Sequence, residues 1–197
     1  VAIRAKVGQA VLLNSQEQRG HGRAVHFDAD EVLDEEMQES INAASRKGLS
    51  GAYCFKRKNF IGSHWIRYGG WYPDKKTRLF PKESRWKGKV HESIVIPENI
   101  NVRQLNGNLI HYSYQSIDEL KEKASKYARI WAEEKSKAGK GGSLLKGHIK
   151  RIIKFFEMYL IKLGFLDGKF GLILATVTAK ERYLRQKHLV ALNKQNS

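Results

Sequence analysis

Two aspartates one residue apart, Asp28-Ala29-Asp30, stand where a short apolar run, Ala24–Phe27, ends. Carboxylates at that spacing reach one hard cation from a turn at a strand end. Magnesium or manganese accepts such ligands, keeps some waters and takes its other ligands from a diphosphate. Alone, the pair also reads as a solvated acidic turn that caps the next helix. Other chemistry-bearing residues follow in order: Tyr68-Gly69-Gly70-Trp71, Val90-His91-Glu92 and His111-Tyr112-Ser113-Tyr114. A carboxylate such as Glu92 takes a proton from an attacking hydroxyl. Backbone without side chains at Gly69 and Gly70 lets a substrate approach closely. A histidine near the diphosphate, His111, completes a metal shell, although a histidine at a sheet edge has the same appearance. Asp74 competes with Glu92 as an acid in a wet loop. Arg67 and Arg78 carry planar forks that suit phosphates; a surface salt bridge is the alternative for Arg67. Together these parts describe displacement of a metal-neutralised diphosphate.

The elements that position them are partly legible. An apolar strand running into acids suits the carboxyl edge of an α/β sheet, where ligands bind. Val1–Val7 forms a further short strand candidate, and Gln16–Arg23 is polar and loop-like. Asp34 reads as a helix N-cap, with Glu35 and Glu36 in the first turn. Met37, Ile41 and Ala44 mark one apolar face, and Gly48 a stop. Ala52–Phe55 reads as a strand. Residues 59–80, rich in glycine and aromatics, predict irregular backbone of a binding loop. Short strands are expected at Thr77–Phe80, Val90–Ile96 and Leu109–Tyr114. Ser116-Ile117-Asp118-Glu119 is a capping box. Ile117, Leu120, Ala124, Tyr127 and Trp131 share the face of the helix it opens, which ends near Gly139. Residues 140–147 read as a basic, Gly-rich link. Two more helices follow, over about 148–163 and 169–192. The pattern divides the chain into residues 1–115 and 116–197.

Charge follows the same division. The 197 residues carry a formal net charge of +16, and residues 121–197 hold 18 Lys+Arg against 6 Asp+Glu. So basic a segment fits an anionic partner, a nucleic acid or an acidic leaflet, or else a solvated face. The second of the three helices mixes lysines and an arginine with bulky apolar residues, the pattern of a helix lying in a lipid interface; a helix buried against the main domain with snorkelling lysines is the alternative. The apolar run Phe170–Val177 is far shorter than the ~20 residues of a membrane span. The single cysteine, Cys54, excludes an internal disulfide and a Cys-x-x-Cys zinc site.

Asp28-Ala29-Asp30-Glu31, Gly69-Gly70-Trp71-Tyr72-Pro73-Asp74, Arg78-Leu79-Phe80, Val90-His91-Glu92 and His111-Tyr112-Ser113-Tyr114, taken as an ordered set, resemble glycosyltransferase family 2. The closest branch in appearance is the bacterial lipopolysaccharide inner-core glucosyltransferases, which Gly164-Phe165-Leu166-Asp167-Gly168 also resembles. The resemblance covers about residues 24 to 190. It implies an α/β fold: a partial GT-A, Rossmann-like sheet domain followed by a basic helical extension. It implies a metal-dependent, inverting transfer from a nucleotide-sugar donor to a lipid-linked glycan acceptor. By the resemblance, Asp28, Asp30 and His111 hold Mg2+ or Mn2+. Glu92 is the catalytic base. Gly69, Gly70, Trp71, Asp74, Arg78 and His91 line the substrates. It further implies a cytoplasmic protein, peripheral on the inner face of the bacterial inner membrane, which residues 140–190 contact. Residues 1–23 do not match the family's opening strand, Asn-Glu pair and early Asp, which hold the nucleotide base and ribose. The chain is therefore expected to lack part of the donor site.

Two other readings use the same residues. One is a non-catalytic remnant that keeps only membrane-docking and acceptor-side parts. The other is a nucleic-acid-binding module, supported by the charge and by aromatics that stack bases. Against it, the aromatics gather beside acids and away from the basic segment, and no RNA-binding or zinc-finger signature occurs. No specific nucleic-acid partner is expected.

Overall fold

The structure is a computed structural model and describes residues 11–13, 23–25, 30–81, 84–87 and 93–195. They group into two compact units. One comprises the described residues up to Lys58 together with Pro73–Tyr112; the other comprises Asn59–Tyr72 and the described residues from Ser113 onward. The second unit thus takes in a stretch that the sequence pattern joins to the sheet domain.

The first unit is built on a sheet. Its strands are β1 (Val11–Leu13), β2 (Arg23–Val25), β3 (Glu31–Leu33), β4 (Ala52–Ile61), β5 (His64–Ile66), β6 (Asp74–Pro81), β7 (Arg85–Lys87), β8 (Ser93–Val95) and β9 (Val102–Tyr114), where β5 belongs to the second unit and β4 and β9 carry the chain into it. The main path runs β1-β2-β6-β4-β9-β3, and β7 pairs with β8 separately. The pairs β1–β2, β2–β6, β4–β6 and β3–β9 are antiparallel. β4 and β9 start side by side, where the Ala52 N–H donates to Asn101 O at 2.9 Å, so these neighbours run in the same direction. The sheet is therefore mixed, and with its helices the chain has the expected α/β class.

Helix α1 (Glu35–Arg46) begins as its sequence predicts. The Asp34 carboxylate accepts from Met37 N, Glu35 and Glu36 lie in the first turn, and Met37 and Ile41 are buried. Past its end, Gly48 adopts φ +74°, the left-handed geometry that closes helices. The core joins Met37 and Ile41 to Leu33, Tyr53, Phe55, Leu79 and Leu109. The other Asp34 bonds reach β9: both carboxylate oxygens accept from Asn108 N at 2.9 Å. Gly107 allows that approach, because a Cβ there would lie 2.6 Å from Met37 Cα.

The second unit is mainly helical. After β4, Gly62 turns the chain at φ +58° and β5 pairs back, Asn59 opposite Ile66. Helix α2 (Ile117–Lys137) is capped by Ser116, whose hydroxyl accepts from Glu119 N at 3.1 Å. The Glu119 carboxylate reaches back one residue further than a standard capping box, to Gln115 N. Helix α3 (Leu144–Phe156) runs into a π turn at Glu157–Ile161, and a single 3-10 turn at Gly164–Asp167 leads into α4 (Gly168–Gln195). α4 packs against both α2 and α3. A core of Ile61, Ile66, Leu120, Met158, Leu174 and Ala175 joins these elements.

Several boundaries differ from the sequence pattern. α3 begins at Leu144 rather than 148, because Ser143 supplies the N-cap, its hydroxyl accepting from Lys146 N at 3.2 Å. That serine is masked in sequence by the surrounding glycines and lysines. Residues 59–80 are not one irregular loop: β4 extends to Ile61, β5 follows, and β6 starts at Asp74. The alternation in β4 is hidden because Lys56, Arg57, Lys58 and Asn59 occupy half-buried and buried positions within it. The candidate strand at Val1–Val7 lies outside the described residues.

Candidate functional site

Asp30 occupies the turn immediately before β3, and His111 lies on β9 directly opposite Glu31. Strand pairing fixes both, since Asp30 O accepts from Tyr112 N at 3.2 Å. Asp30 Oδ2 then stands 3.2 Å from His111 Nε2, with the Asp30 side chain 48% exposed and the histidine mostly covered. Burial and the Arg57 cation hold His111 below the ordinary histidine range, against the pull of Asp30 and Glu31. The neutral ring so favoured is the metal-binding form. Two donors each about 2.1 Å from one octahedral cation lie about 3 Å apart when adjacent. An oxygen and a nitrogen 3.2 Å apart fit that arrangement. Among the described residues, no group of three or more His, Cys, Asp or Glu side chains is placed to hold a metal ion. Asp28, His91 and Glu92 lie outside the described residues.

Beneath this pair runs a chain of alternating charge. Glu31, whose side chain is fully buried, accepts from Arg78 NH2 at 2.5 Å and from Arg57 NH1 at 3.2 Å. Arg57 continues to Asp74, with Nε at 2.9 Å and NH2 at 2.6 Å from Oδ2. Lys76 Nζ lies 3.4 Å from the other Asp74 oxygen. Charges this well buried are retained only when they are paired and hydrogen-bonded. Arg78 and Asp74, both predicted to meet substrate, thus hold other side chains of the sheet. Arg57 carried no signal in sequence, since it lies beyond the strand expected at Ala52–Phe55. Glu31 stood in the acidic motif without a role.

The glycine loop belongs to the second unit. Gly69 and Gly70 take φ +67° and +82°, a region costly for other residues. Gly69 N donates to Lys162 O at 2.8 Å, and a Cβ on Gly70 would come 2.8 Å from Lys162 Cδ. The carboxylate of Asp167 accepts from Arg67 N at 3.1 Å and from Tyr68 N at 2.8 Å. Lys162 Nζ in turn meets Glu157 at 2.6 Å, and Lys154 meets it at 3.0 Å. Bonds to Lys162 and Lys154 pull the Glu157 carboxyl down to about 2. Leu163, between the π turn and the 3-10 turn, is the single described non-glycine residue at positive φ, +56°. Local strain of this kind concentrates at functional segments. Trp71 is half-buried, its ring 6.1 Å from that of Tyr114. The Arg67 guanidinium lies over the Trp65 ring at 4.5 Å. Asp167 and Lys162 are the loop's anchors. Only the first had a sequence signal, its place in Gly164-Phe165-Leu166-Asp167-Gly168.

No described helix is long and apolar enough to cross a membrane.

The chain is similar to curated proteins along most of its length. It is 28% identical over 193 residues to an uncharacterized glycosyltransferase of Rickettsia prowazekii, covering 87% of this chain and 64% of that protein. A homologous uncharacterized glycosyltransferase of Rickettsia typhi is 26% identical over 188 residues, covering 86% and 62%. The lipopolysaccharide core biosynthesis glycosyltransferase LpsC of Rhizobium meliloti is 28% identical over 178 residues, covering 81% and 63%. The chain thus spans somewhat under two thirds of the length of these relatives. No family model matches it, and no solved structure matches it.

Proposed function

We propose that this chain is the acceptor-side and metal-binding part of a family 2, GT-A glycosyltransferase, which moves a sugar from a nucleotide-sugar donor to a lipopolysaccharide-core or related glycan. The observation that carries the reading is the approach of Asp30 and His111, 81 positions apart in the chain, to 3.2 Å beside one sheet edge. The names of its relatives supply the reaction class. Asp30 and His111, with Asp28, would hold Mg2+ or Mn2+. Such an ion supplies neutralisation of the diphosphate as it leaves. Glu92 takes the proton of the acceptor hydroxyl, which attacks the anomeric carbon from the face opposite the leaving group and inverts it. His91 orients that carboxylate.

The remaining residues hold geometry. Glu31, between Arg57 and Arg78, fixes β3 and hence the turn bearing Asp30, and β9 bearing His111. Substrate positioning to within about an ångström is worth orders of magnitude in rate. Gly69 and Gly70 give the loop its left-handed turns, and Asp167 and Lys162 hold it. The test is sugar transfer by the enzyme that carries this chain, in Mn2+ and in chelator. Asp30→Ala is expected to abolish the Mn2+-dependent turnover. Unchanged turnover in that variant would remove Asp30 from the metal site.

A further inference from the structure

Helix α3 is amphipathic, but its apolar side faces outward. Leu145, Ile149, Ile152, Ile153 and Phe156 recur at helical spacing, and all are exposed, Leu145 by 71% and Ile153 by 61%. The ridge continues through the π turn, where Ile161 is 77% exposed, and over the 3-10 turn at Leu166. A helix of a water-facing unit ordinarily turns such a stripe inward. Here the inward contact is made by the one buried residue of α3, Gly147, which lies against Tyr183 and Gln186 of α4. A Cβ at Gly147 would stand 3.0 Å from Gln186 Cβ, so the two helices meet backbone to side chain and the bulky residues remain outside. So much contiguous exposed apolar surface marks an interaction site.

Charge identifies the occupant. Lys146, Lys150 and Arg151 are exposed along the same helix. Between residues 140 and 172 the sequence has seven Lys and Arg against two acids, Glu157 and Asp167. Both acids are engaged: Glu157 by Lys154 and Lys162, Asp167 by the backbone of Arg67 and Tyr68. An aliphatic ridge flanked by uncompensated cations matches an acyl–headgroup boundary, where apolar side chains enter the lipid and lysines reach the phosphates. A second copy of the chain would set these cations against each other. A nucleic acid offers phosphates for the lysines but nothing for five aliphatic and aromatic residues on one stripe.

We infer that α3 and the two turns after it form a docking surface for an anionic lipid bilayer. The helix lies in the plane of the interface, with Leu145, Ile149, Ile152, Ile153 and Phe156 in the acyl boundary. This inference stands independently of the transfer reaction, because it rests on this surface alone.

Vesicle flotation tests it with the full 197-residue chain. Vesicles of phosphatidylcholine alone are compared with a roughly 7:3 mixture of phosphatidylcholine and phosphatidylglycerol. The expected result is binding to the mixed vesicles, weakened at least about tenfold by pure phosphatidylcholine and by Ile152→Glu/Ile153→Glu. Circular dichroism confirms that the double variant keeps its helices. The chain has four native tryptophans, so Ile153→Trp serves as a depth probe through the difference from the wild type: the added emission is expected to shift to the blue and to be quenched by acyl-chain bromolipids. Unchanged flotation of the double variant, or an added Ile153→Trp emission insensitive to bromolipids, overturns the proposal. So does concentration-dependent dimerisation that the double variant abolishes while flotation persists. Salt-sensitive binding of random single-stranded DNA, stronger than vesicle binding and unaffected by the double substitution, also overturns it and selects a nucleic acid.

Discussion

Replacing Glu31 with alanine should cost the sheet unit far more than replacing Asp74, although both carboxylates face Arg57. The difference follows from burial and from what each guanidinium retains. The Glu31 side chain has no exposed surface and faces two cations, Arg78 at 2.5 Å and Arg57 at 3.2 Å, whose side chains are only 10% and 15% exposed. Removing one partner of a buried ion pair typically costs about 3–5 kcal/mol, because the remaining charge keeps its desolvation cost. Asp74 is 24% exposed, and in its absence Arg57 still has Glu31. A charged hydrogen bond contributes about 1.5–3 kcal/mol, less where solvent screens it, so Asp74→Ala should cost about 1–2 kcal/mol. Against a usual total of about 5–15 kcal/mol, Glu31→Ala removes a large share and Asp74→Ala a small one. Native-state hydrogen exchange at Val32, Leu33, Leu109 and Ile110, which lie in the β3–β9 ladder, reads the opening free energy where the effect is centred. A drop below about 1 kcal/mol for Glu31→Ala, or one equal to that of Asp74→Ala, would refute the charge chain as the support of this strand pair.

Three other outcomes follow from the helical unit. Gly70→Ala should lower stability by about 1–2 kcal/mol, since its φ of +82° disfavours a side chain and Lys162 must move; a thermal melt that matches the wild type would contradict this. Asp167→Asn should speed amide exchange at Arg67 and Tyr68 by about tenfold or more, because a neutral amide accepts less strongly than the carboxylate; unaltered exchange would leave the loop held by other contacts. Glu157 has its folded carboxyl lowered from 4.5 to about 2. Its stabilisation is therefore complete above the ordinary value and is lost as pH falls from about 4.5 toward 2. Urea midpoints between about pH 6 and pH 3 should accordingly fall less for Glu157→Gln than for the wild type.

The parts of the fold legible in sequence were those written in local chemistry. Asp34, Ser116, Gly48 and Gly139 announce helix ends through caps and left-handed turns, and Met37 and Ile41 announce a buried face. The long strand β4 was harder, because Arg57 and Asn59 interrupt its apolar alternation for reasons that appear only in three dimensions. Arg57 binds Glu31 and Asp74, and the Asn59 side-chain amide donates to Trp71 O at 3.2 Å. The site shows the same division. Asp30 and His111 were singled out by motif order, and the structure brings those two together. Arg78 and Asp74 were singled out by residue type, yet their charge is engaged with Glu31 and Arg57. A guanidinium suits a phosphate and a buried carboxylate equally well, so residue type alone does not choose between them. The outward stripe of α3 was half legible: spacing and lysines suggested an interface, but the orientation of the apolar side depended on Gly147 packing against α4.

Asp30 and His111 are proposed to serve one metal in a glycosyl transfer site. Manganese electron paramagnetic resonance on the 197-residue chain, with and without uridine diphosphate, tests it most directly. The free-ion signal is expected to be lost on adding the chain, restored by Asp30→Ala and by His111→Ala, and lost at lower ion concentration with the diphosphate present. Manganese binding of equal strength in the wild type and both variants would contradict it.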